Sequence, residues 1–321
     1  MDKRTLIRCA CLVALMAAAA PPALAQQAVR IVVGGPPGGL FDIVIRHAQE
    51  RLERGLGGPV VVDNKPGAGG TLAVETLKLA KPDGLTIGMI NVSSAANESI
   101  VKGKSFNLLT DMEPVGLYAY PANVLIVNPA VNAKTVPELV DALKRAAATN
   151  YSSGGVGSPG HLSGELFKSR AGVAMTHVPY KGAPPAVLAV VTGEVSLMFA
   201  TAPSALGQIG PGKVRALAVT TSERLRQLPD VPTVAEAGLA DFNVSDWVGV
   251  IVPKGTPAHV RDRLHATLSA VFAEPDVQER LRASAILPAA KPLNPAEFAA
   301  FLKSEVDKWA KVVAEAKISQ N

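Results

Sequence analysis

The sequence predicts an α/β protein folded as two lobes around a cleft, and three observations predict it. Short apolar, β-branched runs alternate with amphipathic helical stretches along most of the chain, the pattern of a parallel sheet covered by helices. A strand–glycine loop–helix unit at Val29–Asp42 (VRIVVGGPPGGLFD) is matched by a second at Asn150–Ala171. The chain has 321 residues, enough for two cores at roughly 150 residues per domain.

Residues 1–25 carry an address. Lys3, Arg4 and Arg8 come first, an uncharged run follows from Cys9 to Ala20, and Ala23-Leu24-Ala25 places small residues before a cut at Gln26. This is the pattern of a cleavable secretory signal peptide, too short to span a membrane. Both cysteines, Cys9 and Cys11, lie within it, so the exported chain is expected to carry no disulfide and no thiolate chemistry. Losing Asp2, Lys3, Arg4 and Arg8 takes the 32 basic and 27 acidic residues of the full chain to 29 and 26, a formal +3. With no basic block and 4% aromatic residues, the chain offers neither the stripe nor the stacking platform of a nucleic-acid binder. No later apolar run reaches the ~18 residues of a membrane span. The mature product is therefore expected to be soluble and exported.

The elements follow from periodicity and turn residues. After the strand Val29–Val33, a helix is expected from Phe41 to Leu56 and a strand at Val60–Val62. The glycine turn Lys65–Gly70 opens a helix from Thr71 to Ala80. A strand from Leu85 to Ile90 ends at Asn91-Val92-Ser93, and Ala95–Lys102 reads as helical. The pattern restarts with strands at Val115–Tyr118 and Val124–Val127, and a helix Thr135–Ala148 with Thr135 as N-cap. A strand at Asn150–Ser152 enters the glycine loop 153–160, a helix runs from His161 to Ala171, and a strand ends at His177–Tyr180. Then come a helix Pro184–Thr192, a strand Val195–Phe199 ending at Ala200-Thr201, and a strand Val214–Val219. Past Pro229 the expectations are a strand Asp246–Pro253 and helices Thr256–Ala273, Pro275–Ala283 and Pro295–Ala316. Trp247 reads as a packing residue.

In open α/β sheets ligands sit beyond the carboxyl ends of the strands. Two facing lobes would then oppose the loops Gly34–Gly39 and Gly154–Gly160 across a cleft. Both loops lead into helix N-termini, whose free backbone N–H groups suit an anion. The candidate ligand-binding residues are Pro37, Gly38, Gly39 and Asp42 on the first loop, and Gly157, Ser158 and His161 on the second. Ser93, Tyr180 and Thr201 join them from strand ends. Asp42 either contacts ligand or stabilises the first turn of its helix; His161 either caps its helix or contacts ligand as a neutral donor.

Catalytic motifs fail on their spacing. Gly155–Gly160 fits G-x-G-x-x-G, but no acid stands at 180–184 and Pro159 interrupts the turn. No P-loop or H-E-x-x-H is present, and Val156 occupies the first glycine position of a G-x-S-x-G elbow around Ser158. His161 and Glu165 share a helix face without further histidines nearby in sequence. Neither a cofactor nor a metal is expected, and no catalytic residue is assigned. Few aromatics argue against a sugar, and no arginine–carboxylate pair marks an amino-acid site. A backbone cradle suits a small organic carboxylate best.

A set of motifs runs in one order through nearly the whole exported chain: Pro36–Asp42 with Arg46; Val61–Gly70; Pro82–Thr86; Gly157–Phe167; His177–Gly182; Leu228–Gly238; and Pro253–Pro257. In this order and spacing the chain resembles the substrate-binding receptors of the tripartite tricarboxylate transporter family, the Bug receptors. The resemblance implies a type II periplasmic-binding-protein fold with two crossovers, lobe 1 comprising 26–126 plus 248–321 and lobe 2 comprising 127–247. It implies a non-enzymatic receptor whose facing loops grip a carboxylate mainly through backbone groups and waters. It also implies capture by lobe closure and delivery to the integral-membrane subunits of a transporter. A module presenting its closed form to a sensor protein, and an exported hydrolase, are the alternatives. Gly34-Gly35 departs from the family pattern, which has a proline and an aromatic residue there; the departure loosens the loop and removes an aromatic wall.

Overall fold

The computed structural model describes residues 27–146, 148–239, 242, 246–315 and 318; the expected signal peptide lies outside them. Two sheets organise the chain. In the first, strands β1 (Val29–Val33), β2 (Val60–Asn64) and β3 (Thr86–Ile90) run parallel with β1 in the middle. Strand β10 (Val248–Pro253) pairs antiparallel with β3 and with β4 (Met112–Pro121), and β11 (Ile286–Leu293) closes the edge against β4. The second sheet repeats this plan. Strands β6 (Asn150–Ser153), β7 (Thr176–Pro179) and β8 (Leu197–Thr201) are parallel with β6 central, and β5 (Asn123–Val127) pairs antiparallel with β8 and with β9 (Arg215–Val219). The α/β class and the two-lobed architecture are as expected.

Burial explains the strand patterns. Val32, Val33 and every residue of β5 and β8 are buried. These strands are covered on both faces, which is why they read as unbroken apolar runs rather than alternating ones. The chain passes between sheets at Ala122, between β4 and β5, and again on the way from β9 to β10. The first passage therefore precedes the expected boundary at 126, which falls inside β5: Val124–Val127 pair with β8 and β9, not with the first sheet.

Helices alternate with the strands. In the first lobe they are α1 (Leu40–Leu56), α2 (Thr71–Lys78), α3 (Val92–Ile100) and the single turn α4 (Leu108–Asp111). In the second they are α5 (Val136–Arg145), α6 (Pro159–Ala171), α7 (Ala183–Thr192) and α8 (Ala202–Ile209). Then α9 (Ala258–Ala273), α10 (Pro275–Ala283) and α11 (Pro295–Glu315) return to the first lobe. The sequence reading lacked α4, α8 and β11. Strand β11 has three prolines or lysines among eight residues, Pro288, Lys291 and Pro292, which is edge-strand chemistry and a weak strand signal. Helix α3 starts at Val92 rather than Ala95, because the Asn91 side chain accepts from Ser93 N at 3.1 Å and caps it there.

The second passage is anchored by Trp247, 1% exposed. Its ring meets Phe298 and Phe301 of α11 edge-on, with centroids at 5.8 and 5.5 Å, and its Nε1 donates to Glu305 Oε2 at 2.9 Å. The packing role expected for Trp247 is what the structure shows. Trp247→Ala empties this pocket and removes one of the donors to the buried Glu305, which keeps Trp309 Nε1 and Lys308, so it should cost ~3–5 kcal/mol in urea unfolding; a loss under ~1 kcal/mol would contradict this packing account.

Candidate ligand-binding site

Because each parallel strand feeds a loop and then a helix, the helices of both lobes begin at the same place. The residues preceding α1, α2 and α3 are Gly39, Gly70 and Asn91; those preceding α6, α7 and α8 are Ser158, Gly182 and Thr201. All six line one cleft of about 390 Å³ between the lobes. Six helix N-termini thus converge on one volume, each directing the positive end of a macrodipole at it, although the first N–H groups of α3 are already bonded to Asn91 and Asp246. Among the described residues no aspartate or glutamate lines the cleft, and Lys181 carries the one formal charge. Met89, Met198 and Phe41 supply apolar lining, while the Phe199 ring packs on Phe167 and Phe242.

The first loop is braced from behind. Gly38 N donates to Asp42 Oδ2 at 2.8 Å, and Arg46 Nε donates to the same oxygen at 2.7 Å. Burial alone would raise the Asp42 pKa, but the Arg46 and Gly38 hydrogen bonds hold it below the ordinary carboxylate range. Asp42 is 4% exposed and does not line the cleft. Of its two expected roles, it stabilises the loop and the first helical turn. Gly34 packs against the neighbouring loop so closely that a Cβ there would lie 2.6 Å from Gly70 Cα.

The second loop is held by two histidines. Gly157 N donates to His161 Nδ1 at 3.0 Å, while the Ser158 hydroxyl caps α6 by accepting from His161 N at 3.4 Å. The His161 ring stacks on His177 with centroids 3.9 Å apart. His177 Nε2 lies 2.6 Å from Ser153 Oγ, which in turn accepts from Gly155 N and donates to Gly155 O. Burial pushes His161 down to about 4 and His177 to about 3, with Lys168 and the partner ring adding to it. Both are therefore neutral, and the His161 proton resides on Nε2 because Nδ1 accepts. His161 thus braces the loop ahead of its helix, whose cap is Ser158, and Gly157 spends its N–H internally. Glu165 is engaged by Tyr151 and Lys168. Among the described residues no metal-binding cluster occurs.

Of the expected ligand-binding residues, Gly39, Ser93, Ser158, Tyr180 and Thr201 line the cleft; Pro37, Gly38, Asp42, Gly157 and His161 stand outside it. The strand-end signal that found Ser93 and Thr201 also marks Asn91 and Lys181. Met89 and Met198 had no such signal, since a buried strand residue facing a cleft looks like core. Asp246 was also missed. Fully buried, it accepts from Trp247 N at 2.9 Å, Asn91 Nδ2 at 3.3 Å and Val92 N at 3.4 Å, and burial pushes its pKa up to about 7. It ties the second passage to the cleft end of α3.

The lobes touch through glycine at two places. A Cβ on Gly182 would lie 2.5 Å from the Pro36 ring. A Cβ on Gly157, where φ is +75°, would run into Asn97 Oδ1 across the cleft, and one on Gly69 would lie 2.6 Å from Val156 O. Asn97 is 2% exposed and donates to Gly69 O at 2.8 Å. The two lobes are thus in direct contact beside the cleft.

Two sheets with paired crossovers, and a cleft between them, define the class of bilobed periplasmic binding proteins. Residues 44–318 match the family described as the tripartite tricarboxylate transporter family receptor, TctC, and the chain belongs to that family. It is 32% identical to Protein BugT of Bordetella pertussis over 290 residues, covering 89% of this chain and 88% of that protein. Among solved structures it is similar to the periplasmic binding protein BugD, with TM-score 0.87 and 34% identity over 91% of this chain and 99% of that one. It is also similar to R. palustris Rpa4515 with adipate (TM-score 0.87, 30% identity, 94% and 100% covered). A third neighbour is MatC from Rhodopseudomonas palustris with bound malate (0.83, 31%, 89% and 98%).

The buried titrating groups have opposite signs of linkage. The histidines have folded pKa values below 6.5, so the unfolded chain takes up protons first and stability falls as pH drops from about 6.5 toward about 4. Asp246 has a folded pKa above 3.8, so its contribution rises as pH drops from about 7. In Asp246→Asn the opposing group is gone, and stability should fall by up to ~1.4 kcal/mol per pH unit for each histidine. Urea melts of that variant between pH 6.5 and 4.5 check this; a flat profile would contradict the neutral histidine pair.

Proposed function

We propose that this protein is a periplasmic receptor that captures a small organic carboxylate by lobe closure and delivers it to the membrane subunits of a tripartite tricarboxylate-type transporter. The observation that carries the reading is the convergence of six helix N-termini on a cleft without an acidic side chain. Such a volume favours an anion in the absence of any arginine clamp. The neighbours bound to adipate and malate support a carboxylate, and the family description supports the transporter partner. The N-terminal address supports export.

The chain acts by binding rather than turnover. Among the described residues lining the cleft, no histidine or carboxylate joins the aliphatic hydroxyls of Ser93, Ser94, Ser158 and Thr201. Ser158 is engaged as a helix cap, and Thr201 Oγ1 donates to Ser204 Oγ at 3.0 Å. Charge-assisted hydrogen bonds of ~1.5–3 kcal/mol each, less the cost of closure, reach the ~8 kcal/mol of micromolar binding with a few contacts. Ligand favours the closed form only through contacts that the open form lacks.

Closure itself is testable at a residue outside the cleft lining. Gly157→Val places a branched side chain at positive φ and against Asn97, with strain of ~1–3 kcal/mol in addition to the clash. Calorimetric titration with adipate and malate should show micromolar binding to the wild type and a loss on the order of 100-fold in the variant, with its thermal melt still cooperative. Wild-type affinity in Gly157→Val would contradict capture by closure.

A further inference from the structure

Glycine is frequent around the cleft, and nearly every instance has a local reason. Gly34 and Gly182 have another segment's backbone or ring where a Cβ would go, Gly160 has Phe199 O there, and Gly155 and Gly70 adopt positive φ. Gly39 would meet Pro36 O at 3.0 Å and Gly154 would meet Ala183 N at 3.1 Å. Gly35 differs from all of these. Its φ lies outside the left-handed region, and the nearest atom to an added Cβ is Phe41 Cδ2 at 4.0 Å. Its carbonyl is fixed by Asn64 Nδ2 at 2.8 Å, so its backbone position does not depend on flexibility.

A glycine with no steric need is a net cost, because it loses more backbone freedom on folding than any other residue. The space it leaves is continuous with the cleft, which Gly35 lines. Phe41 stands next to that space, and the same cleft is lined by Met89 from β3 and, from the opposite lobe, Met198 of β8. Methionine on both sides gives a wall that adapts to shape. A small polyacid with charge at every second carbon would leave this wall against water or against its own carboxylates.

We propose that Gly35 sets the ligand class: the side chain absent there admits a carboxylate that carries a ring-sized apolar body. The helix N-termini take the carboxylate, and the Phe41–Met89–Met198 wall takes the body. This rests on reading the cleft as a carboxylate site and specifies which carboxylates it accepts.

The test titrates benzoate, cyclohexanecarboxylate and malate into the wild type, Gly35→Ala and Gly35→Phe. The wild type should bind the better ring acid about tenfold or more tightly than malate, as expected for added apolar contact. Gly35→Phe fills the space and should weaken both ring acids by about tenfold or more relative to its effect on malate. Gly35→Ala should fall between, and it carries the test should the larger variant lose its cooperative melt. Equal weakening of all three acids by Gly35→Ala, or no weakening of the ring acids by either variant, overturns the assignment. Malate binding with both ring acids silent overturns the assignment and leaves the carboxylate reading standing. Silence of all three in the wild type overturns both.

Discussion

The site depends on helix N-termini held in fixed places around one cleft, with Lys181 the one charged side chain among its described lining residues. A helix leaves its first N–H groups unpaired, and a parallel strand–loop–helix unit puts those groups beyond the strand's carboxyl end. Three such units per lobe, with the lobes face to face, bring six helix starts to one cleft. The two sheets share a local plan, β2-β1-β3 followed by antiparallel β10, and β7-β6-β8 followed by antiparallel β5. Each passage between the lobes thus enters a strand that borders a parallel triple, β5 or β10.

Polar side chains around the cleft serve mainly to hold its loops. Asp42 fixes Gly38, His161 fixes Gly157, Ser153 fixes Gly155, and Asn97 fixes Gly69. Each takes up a loop group that would otherwise be free to wander, at distances of 2.8 to 3.1 Å. The expense is a set of buried titratable groups, His161, His177 and Asp246, whose neutral forms the interior favours. Preorganisation of this kind reduces the ordering a ligand must impose when it binds.

Much of the architecture was legible in the sequence because glycine loops between an apolar strand and an amphipathic helix have few other uses. Val29–Asp42 and Asn150–Ala171 announced the paired units, and the strand ends at Ser93, Tyr180 and Thr201 followed from topology. Direction was harder than position. Whether Asp42 and His161 face ligand or their own loop depends on rotamers and on groups four residues away, and both turned to the loop. The passage at Ala122 was obscured by continuous apolar sequence on either side, since buried strands of either lobe look alike. Strand β11 was hidden by the prolines and lysine that protect its exposed edge. Asp246 gave no signal, because its partners, Asn91, Val92 and Trp247, are distant in sequence or are backbone groups.

The central claim is that the cleft recognises negative charge through backbone groups rather than shape alone. Calorimetric titration of the wild type with adipate and with adipamide, nearly the same in shape and length but uncharged, addresses it directly. The account predicts micromolar binding of adipate and adipamide weaker by on the order of 100-fold, about 2.7 kcal/mol. Equal affinity for the two would contradict it.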